Sequence, residues 1–345
     1  MKSSKSAAFV HPRADWIHGR MCSVEEITAA IEDDRILWPA GDSRLLSKLP
    51  KGRWIGGSIP YFMAEDGGQT NRDKIYCSEM LEEWATAVEV KSYDTDSIHR
   101  LTREAPVNGF TILLIPAFTD LHMKYAQYAP NYEEMFKKPI AGWITGVHLD
   151  DLGRVRPSVF NGVTGEHHNE KAAAMHVTLC PNKKARVCTV NTFRQGQGDE
   201  IQFQETGFTA SRCLINGKER NFAEYAKEKQ LDTRLPLVAN DSGTMVNVSI
   251  QKVDSVAGTV SFYAPVFSSV PYRQAAPVAD FVQAFQAALP RLSNPVIFSC
   301  NCVLNYLHSE LAGKNTGVMT GPMTFGEIAY RLLNQTLVYL TIEDA

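Results

Sequence analysis

One arrangement recurs in this sequence and limits what it can fold into: an apolar strand, a helix, and a second strand carrying glycine. It appears first at residues 110–146. Phe110-Thr111-Ile112-Leu113-Leu114-Ile115 is an unbroken apolar run that Pro116 ends, Leu121, Tyr125 and Tyr128 follow at helical spacing, and Ile140-Ala141-Gly142-Trp143-Ile144-Thr145-Gly146 closes the unit. It appears again at 296–319, from Val296-Ile297-Phe298-Ser299-Cys300 through a helical segment with Leu304, Leu307, His308 and Leu311 on one face, to Gly317-Val318-Met319. A strand that is apolar throughout is buried on both faces. A parallel return through a helix is right-handed. The expected fold is therefore α+β (mixed α/β), built as two related lobes packed together, each a mixed β-sheet flanked by helices; a layered αββα arrangement satisfies this. The 345 residues suffice for two such lobes. We divide them as an N-terminal arm and capping helix over 1–44, one lobe over 45–205 and another over 206–345.

Local signals fill in the order. Residues 1–22 show no period and read as an arm. Ser23 to Glu26 is a capping box opening a helix that runs to about Asp34. Gly56-Gly57-Ser58 follows an apolar strand, where paired glycines allow either close packing of a neighbouring element or backbone access to a ligand. Asp66-Gly67-Gly68 signals a hairpin. Met175–Cys180 and Ala185–Val190, joined through Pro181-Asn182-Lys183-Lys184, read as another. Asn216-Gly217 turns into a helix at 222–229, and a second helix presents Phe281, Val282, Phe285 and Leu289.

Charge and motifs remove several function classes. Net charge is -3 with acidic and basic residues interspersed, so the basic stripe that binds phosphate backbones is absent. No apolar run reaches the ~18 residues of a membrane span. The N-terminus lacks the apolar core of a signal peptide. Seven scattered cysteines suit reduced thiols, and the chain is expected to be cytoplasmic. There is no nucleophile elbow, P-loop or His-Glu-x-x-His motif, and Gly196-Gln197-Gly198 lacks the rest of a dinucleotide fingerprint.

The order Asn216-Gly217, helix, Leu235-Pro236-Leu237, two strands, helix, Phe298-Ser299-Cys300, Gly326-Glu327-Ile328 and Asn334-Gln335-Thr336-Leu337 resembles the C-terminal half of FIST domains. Ile55-Gly56-Gly57-Ser58, Ile112-Leu113-Leu114-Ile115 and Ala141-Gly142-Trp143 resemble the N-terminal half, so the likeness spans roughly residues 45–342. It departs after Cys300, where Asn301-Cys302-Val303 stands in place of the usual Gly or Arg. The resemblance implies a signal-input module that binds a small ligand and passes the event to a separate effector such as a histidine kinase or cyclase. Some members of that family are haem-dependent nitric-oxide sensors.

On this reading a small polar metabolite such as an amino acid sits between the lobes, lined by Gly56, Gly57, Ser58, Cys300, Asn301, Gly326 and Glu327. The glycines would give backbone access and the others polar anchors. No cofactor or metal is required. Two alternatives stay open. Haem could be held by His176 or His148, each a histidine in an apolar stretch. An enzyme could use Cys300 as its nucleophile if the following helix lowered the thiol pKa.

Overall fold

The computed structural model describes residues 17–241 and 243–345. The fold is α+β, with mixed sheets flanked by helices. The two strand–helix–strand units legible in the sequence are present, although the second closes on Gly321–Thr324 and not on Gly317-Val318-Met319, and a third precedes them. The first strands of the three units are Ile36–Gly41, Gly109–Pro116 and Val296–Cys302. Each leads through a crossover helix (Ser43–Leu46, Asp120–Tyr128, Val303–His308) to a parallel second strand (Ile55–Ser58, Ile140–Thr145, Gly321–Thr324). A short hairpin follows in each case, and then a return strand (Ile75–Met80, Ala172–Leu179, Leu337–Asp344) antiparallel to the first. A leading edge strand (Arg20–Cys22, Ala85–Tyr93, Lys183–Val190) completes each repeat by pairing with the return strand.

The hairpins are exchanged in a cycle. Val159–Asn161 of the second repeat pairs with Ile55–Ser58 of the first, and Glu327–Ala329 of the third pairs with Ile140–Thr145 of the second. Tyr61–Ala64 of the first then pairs with Gly321–Thr324 of the third. Three six-stranded sheets result, each built from two repeats. Alternation along the first strands explains their apolar runs. Trp38, Ala40, Ile112, Leu114, Phe298 and Cys300 face one shared core, while Leu37, Leu113 and Ile115 face outer layers closed by helices.

Several local signals have their expected form. The helix Val24–Glu32 carries the Ser23–Glu26 capping box. The helices Phe222–Glu228 and Phe281–Ala288 are where the apolar spacing put them. Other expectations are corrected. The arm anticipated over 1–22 lies outside the described residues as far as 16, and Arg20–Cys22 is a strand. The strands either side of Pro181-Asn182 both exist but do not form a hairpin. Ala172–Leu179 pairs with Gly109–Pro116 and Ala85–Tyr93, whereas Lys183–Val190 leaves for the third sheet and pairs with Leu337–Asp344. The turn residues reverse the chain, but both edges of Ala172–Leu179 are already occupied.

The third repeat is interrupted between Lys183–Val190 and Phe281–Ala288. The insertion, about residues 191–280, holds a six-stranded antiparallel sheet, a three-stranded one and the helix Phe222–Glu228 around its own core of Phe203, Phe222, Phe262 and Tyr272. The division drawn at residue 205 falls inside it. Among the described residues no helix is long and apolar enough to cross a membrane.

Candidate functional site

Five of the seven residues expected to line a cleft, Gly57, Ser58, Cys300, Gly326 and Glu327, gather around the strand Ile140–Thr145 and the Gly146 that follows it. Gly57 packs on the strand so closely that a Cβ there would lie 2.6 Å from Thr145 Cγ2 and 2.9 Å from Trp143 Nε1, and Gly56 abuts Pro39 and Trp54. Ser58 Oγ donates to Gly146 O at 2.8 Å and accepts from Ser158 N at 2.8 Å. The Cys300 thiol donates to Gly142 O at 3.3 Å. Gly326 O accepts from Ile144 N at 2.8 Å, and Glu327 lies opposite Trp143 across the strand pair. The Asn301 carboxamide accepts from Cys302 N at 2.7 Å and from Asn305 Nδ2 at 2.9 Å, which anchors the start of the helix Val303–His308.

All seven are buried. Those that meet around Ile140–Thr145 close a junction between repeats and open no cleft. The void beside Cys300 and Asn301 is about 10 Å³, room for one water at most. Burial, with Glu327 nearby, pushes the Cys300 thiol well above its ordinary range, which opposes a thiolate there. Glu327 is fully buried. Its Oε2 accepts from Thr336 N at 3.3 Å, and the Cys302 thiol and Thr324 hydroxyl lie against the carboxyl group. Desolvation outweighs these donors and raises Glu327 well above the usual carboxylate range.

The histidines are similarly committed. His176 Nδ1 lies 2.8 Å from Thr111 Oγ1 and Nε2 2.9 Å from the Tyr93 hydroxyl. Tyr93 donates to Glu104 at 2.8 Å, so it accepts from His176 Nε2–H, and Nδ1 accepts from Thr111. Neither ring nitrogen is left for haem iron. Burial, with a contribution from Lys91, pulls His176 down to about 4. His148 stacks on Tyr61 at 5.6 Å and its Nδ1 accepts from Asp150 N at 3.2 Å. Among the described residues no three His, Cys, Asp or Glu side chains are grouped so as to hold a metal ion.

A ligand-sized recess lies elsewhere, in the insertion. It is about half open to solvent, has a volume of about 250 Å³ and is lined by Gln197, Gly198, Asp199, Ile201, Tyr225, Lys229, Leu231 and Gln274. The Asp199 carboxylate accepts from Asn216 Nδ2 at 2.7 Å and from the Tyr225 hydroxyl at 3.1 Å, and Lys229 Nζ stands 3.6 Å away. These donors, Asn216 first, hold Asp199 below the usual carboxylate range, so it stays charged. Gln274 Nε2 donates to Asp232 O at 2.9 Å, which fixes that amide at the recess wall. The Gly196-Gln197-Gly198 loop had no function in the sequence reading. Its partners come from a helix and a strand some 30 and 75 residues on, and no local spacing signals such an assembly.

No curated protein matches the chain. A family model does match, over residues 22–343, and so spans all three repeats and the insertion. The chain belongs to that family, DUF6976, a family of unknown function.

Proposed function

We propose that the protein is a non-catalytic, cytoplasmic signal-input module whose small polar ligand binds in the recess of the insertion. This keeps the role implied by the FIST resemblance and moves the ligand away from the Cys300–Glu327 junction. The observation that carries the reading is the recess itself. It joins an ionised carboxylate, an ammonium group and two carboxamides to an apolar floor of Ile201 and the Tyr225 ring, the mixture by which small-molecule sites orient a polar ligand. Its volume of about 250 Å³ suits a metabolite the size of an amino acid. Output would pass to a separate effector through movement of the insertion against the three-repeat scaffold.

A thermal-shift screen of amino acids and small organic acids tests the reading. A concentration-dependent rise in Tm that is lost in Asp199→Asn is expected. No shift with any compound at millimolar concentration overturns it.

A further inference from the structure

The recess has a charge arrangement that selects among polar ligands. Two of the four lone-pair positions of the Asp199 carboxylate are taken, by Asn216 and Tyr225. Lys229 Nζ supplies the neighbouring positive charge but stops at 3.6 Å, beyond hydrogen-bond length. Its side chain is 47% exposed, so about half of it faces solvent. The helix Phe222–Glu228 ends here, and Lys229 is its C-cap residue. An ionised carboxylate with two open acceptor positions favours a cation bearing N–H donors.

We propose that Asp199 is the receptor for a primary ammonium group, and that Lys229 is a tethered stand-in which the ligand ammonium displaces. The inference rests on the recess being the binding site. The ligand class is a small primary amine. Its short carbon stem lies over Ile201 and the Tyr225 ring, and its far end meets Gln197 and Gln274. On binding, the ammonium takes an open carboxylate lone pair at hydrogen-bond distance and Lys229 swings into solvent. No bond is made or broken.

Three probes of one shape separate the outcomes: n-butylamine, butyrate and butyramide, each titrated calorimetrically into the wild type, Asp199→Asn and Lys229→Met. Butylamine is expected to bind best. Asp199→Asn should weaken it by about tenfold or more, since a charge-assisted hydrogen bond is lost. Lys229→Met should tighten it, because the internal competitor is gone. Lys229 is on the surface, so this variant keeps the test sound even if Asp199→Asn folds poorly. Binding of butyrate or butyramide in preference to butylamine, or weaker butylamine binding in Lys229→Met, overturns the cation assignment and leaves the recess as the site. Failure of all three probes overturns the amine assignment, and the recess reading falls with it only if the thermal-shift screen also finds no ligand.

Discussion

The buried histidine on the outer face of the second sheet makes a quantitative prediction about acid stability. His176 is 4% exposed and lies between Tyr93 and Thr111, with its pKa lowered from 6.5 to about 4 chiefly by burial. In the unfolded chain the imidazole regains its ordinary value. Below pH 6.5 the unfolded state therefore takes up a proton that the folded state refuses. The stability contribution is complete above 6.5, falls as pH drops, and is spent once pH passes the folded value. Two pH units separate 6.5 from an assay near pH 4.5, and at about 1.4 kcal/mol per unit the loss attributable to this residue is about 2.5 kcal/mol. Urea unfolding of the wild type and of His176→Asn, each at about pH 7.5 and about pH 4.5, isolates that figure. Other titrating groups cancel in the double difference. The absolute stability of the variant will fall because two hydrogen bonds change, but the readout is the slope. Should His176→Asn lose as much stability on acidification as the wild type, the imidazole is being protonated in place and the burial argument is wrong.

Glu327 has the opposite sign. Its folded pKa is raised, so the wild type loses stability relative to Glu327→Gln as pH rises above the unfolded carboxyl range. Denaturation midpoints at about pH 5 and pH 8 should diverge in favour of the variant, and parallel curves refute a raised carboxyl. Gly57→Ala places a methyl 2.6 Å from Thr145 Cγ2 and 2.9 Å from Trp143 Nε1 and should cost about 1–3 kcal/mol of unfolding free energy. An unchanged midpoint rejects that packing. Iodoacetamide followed by mass spectrometry should modify Cys300 far more slowly in the native protein than in urea; equal rates at neutral pH would restore a reactive thiol.

How much of this was legible from sequence depended on whether each signal was local. The capping box at Ser23 and the apolar faces of 222–228 and 281–288 are set by neighbours within a turn or two, and they hold. Two of the three strand–helix–strand units were visible because Phe110–Ile115 and Val296–Cys300 are long apolar runs. The first unit was missed because its crossover helix, Ser43–Leu46, is a single turn too short to show a helical period. Pairing partners were least visible. The turn at Pro181-Asn182 marks a reversal, but whether two strands then pair depends on edges occupied by chain more than 50 residues away. Of the polar and glycine residues expected around Cys300 and Glu327, most meet at a tightly packed junction with no ligand-sized space beside it. Small residues suit tight junctions as well as ligands, and sequence does not report the absence of space.

The exchanged hairpins also bear on how this chain could fold and how it could have arisen. No repeat can finish a sheet from its own strands, so an isolated repeat would expose an unpaired edge at its second strand and a stranded hairpin. Order should therefore be acquired by all three together, after long-range closure, and the barrier should be dominated by the chain entropy of that closure. Three separate copies of a one-repeat chain would satisfy the same ring of pairings with no linkers between them. In that sense the scaffold is a trimer written on a single polypeptide, and the insertion is what makes one of its three faces unlike the others.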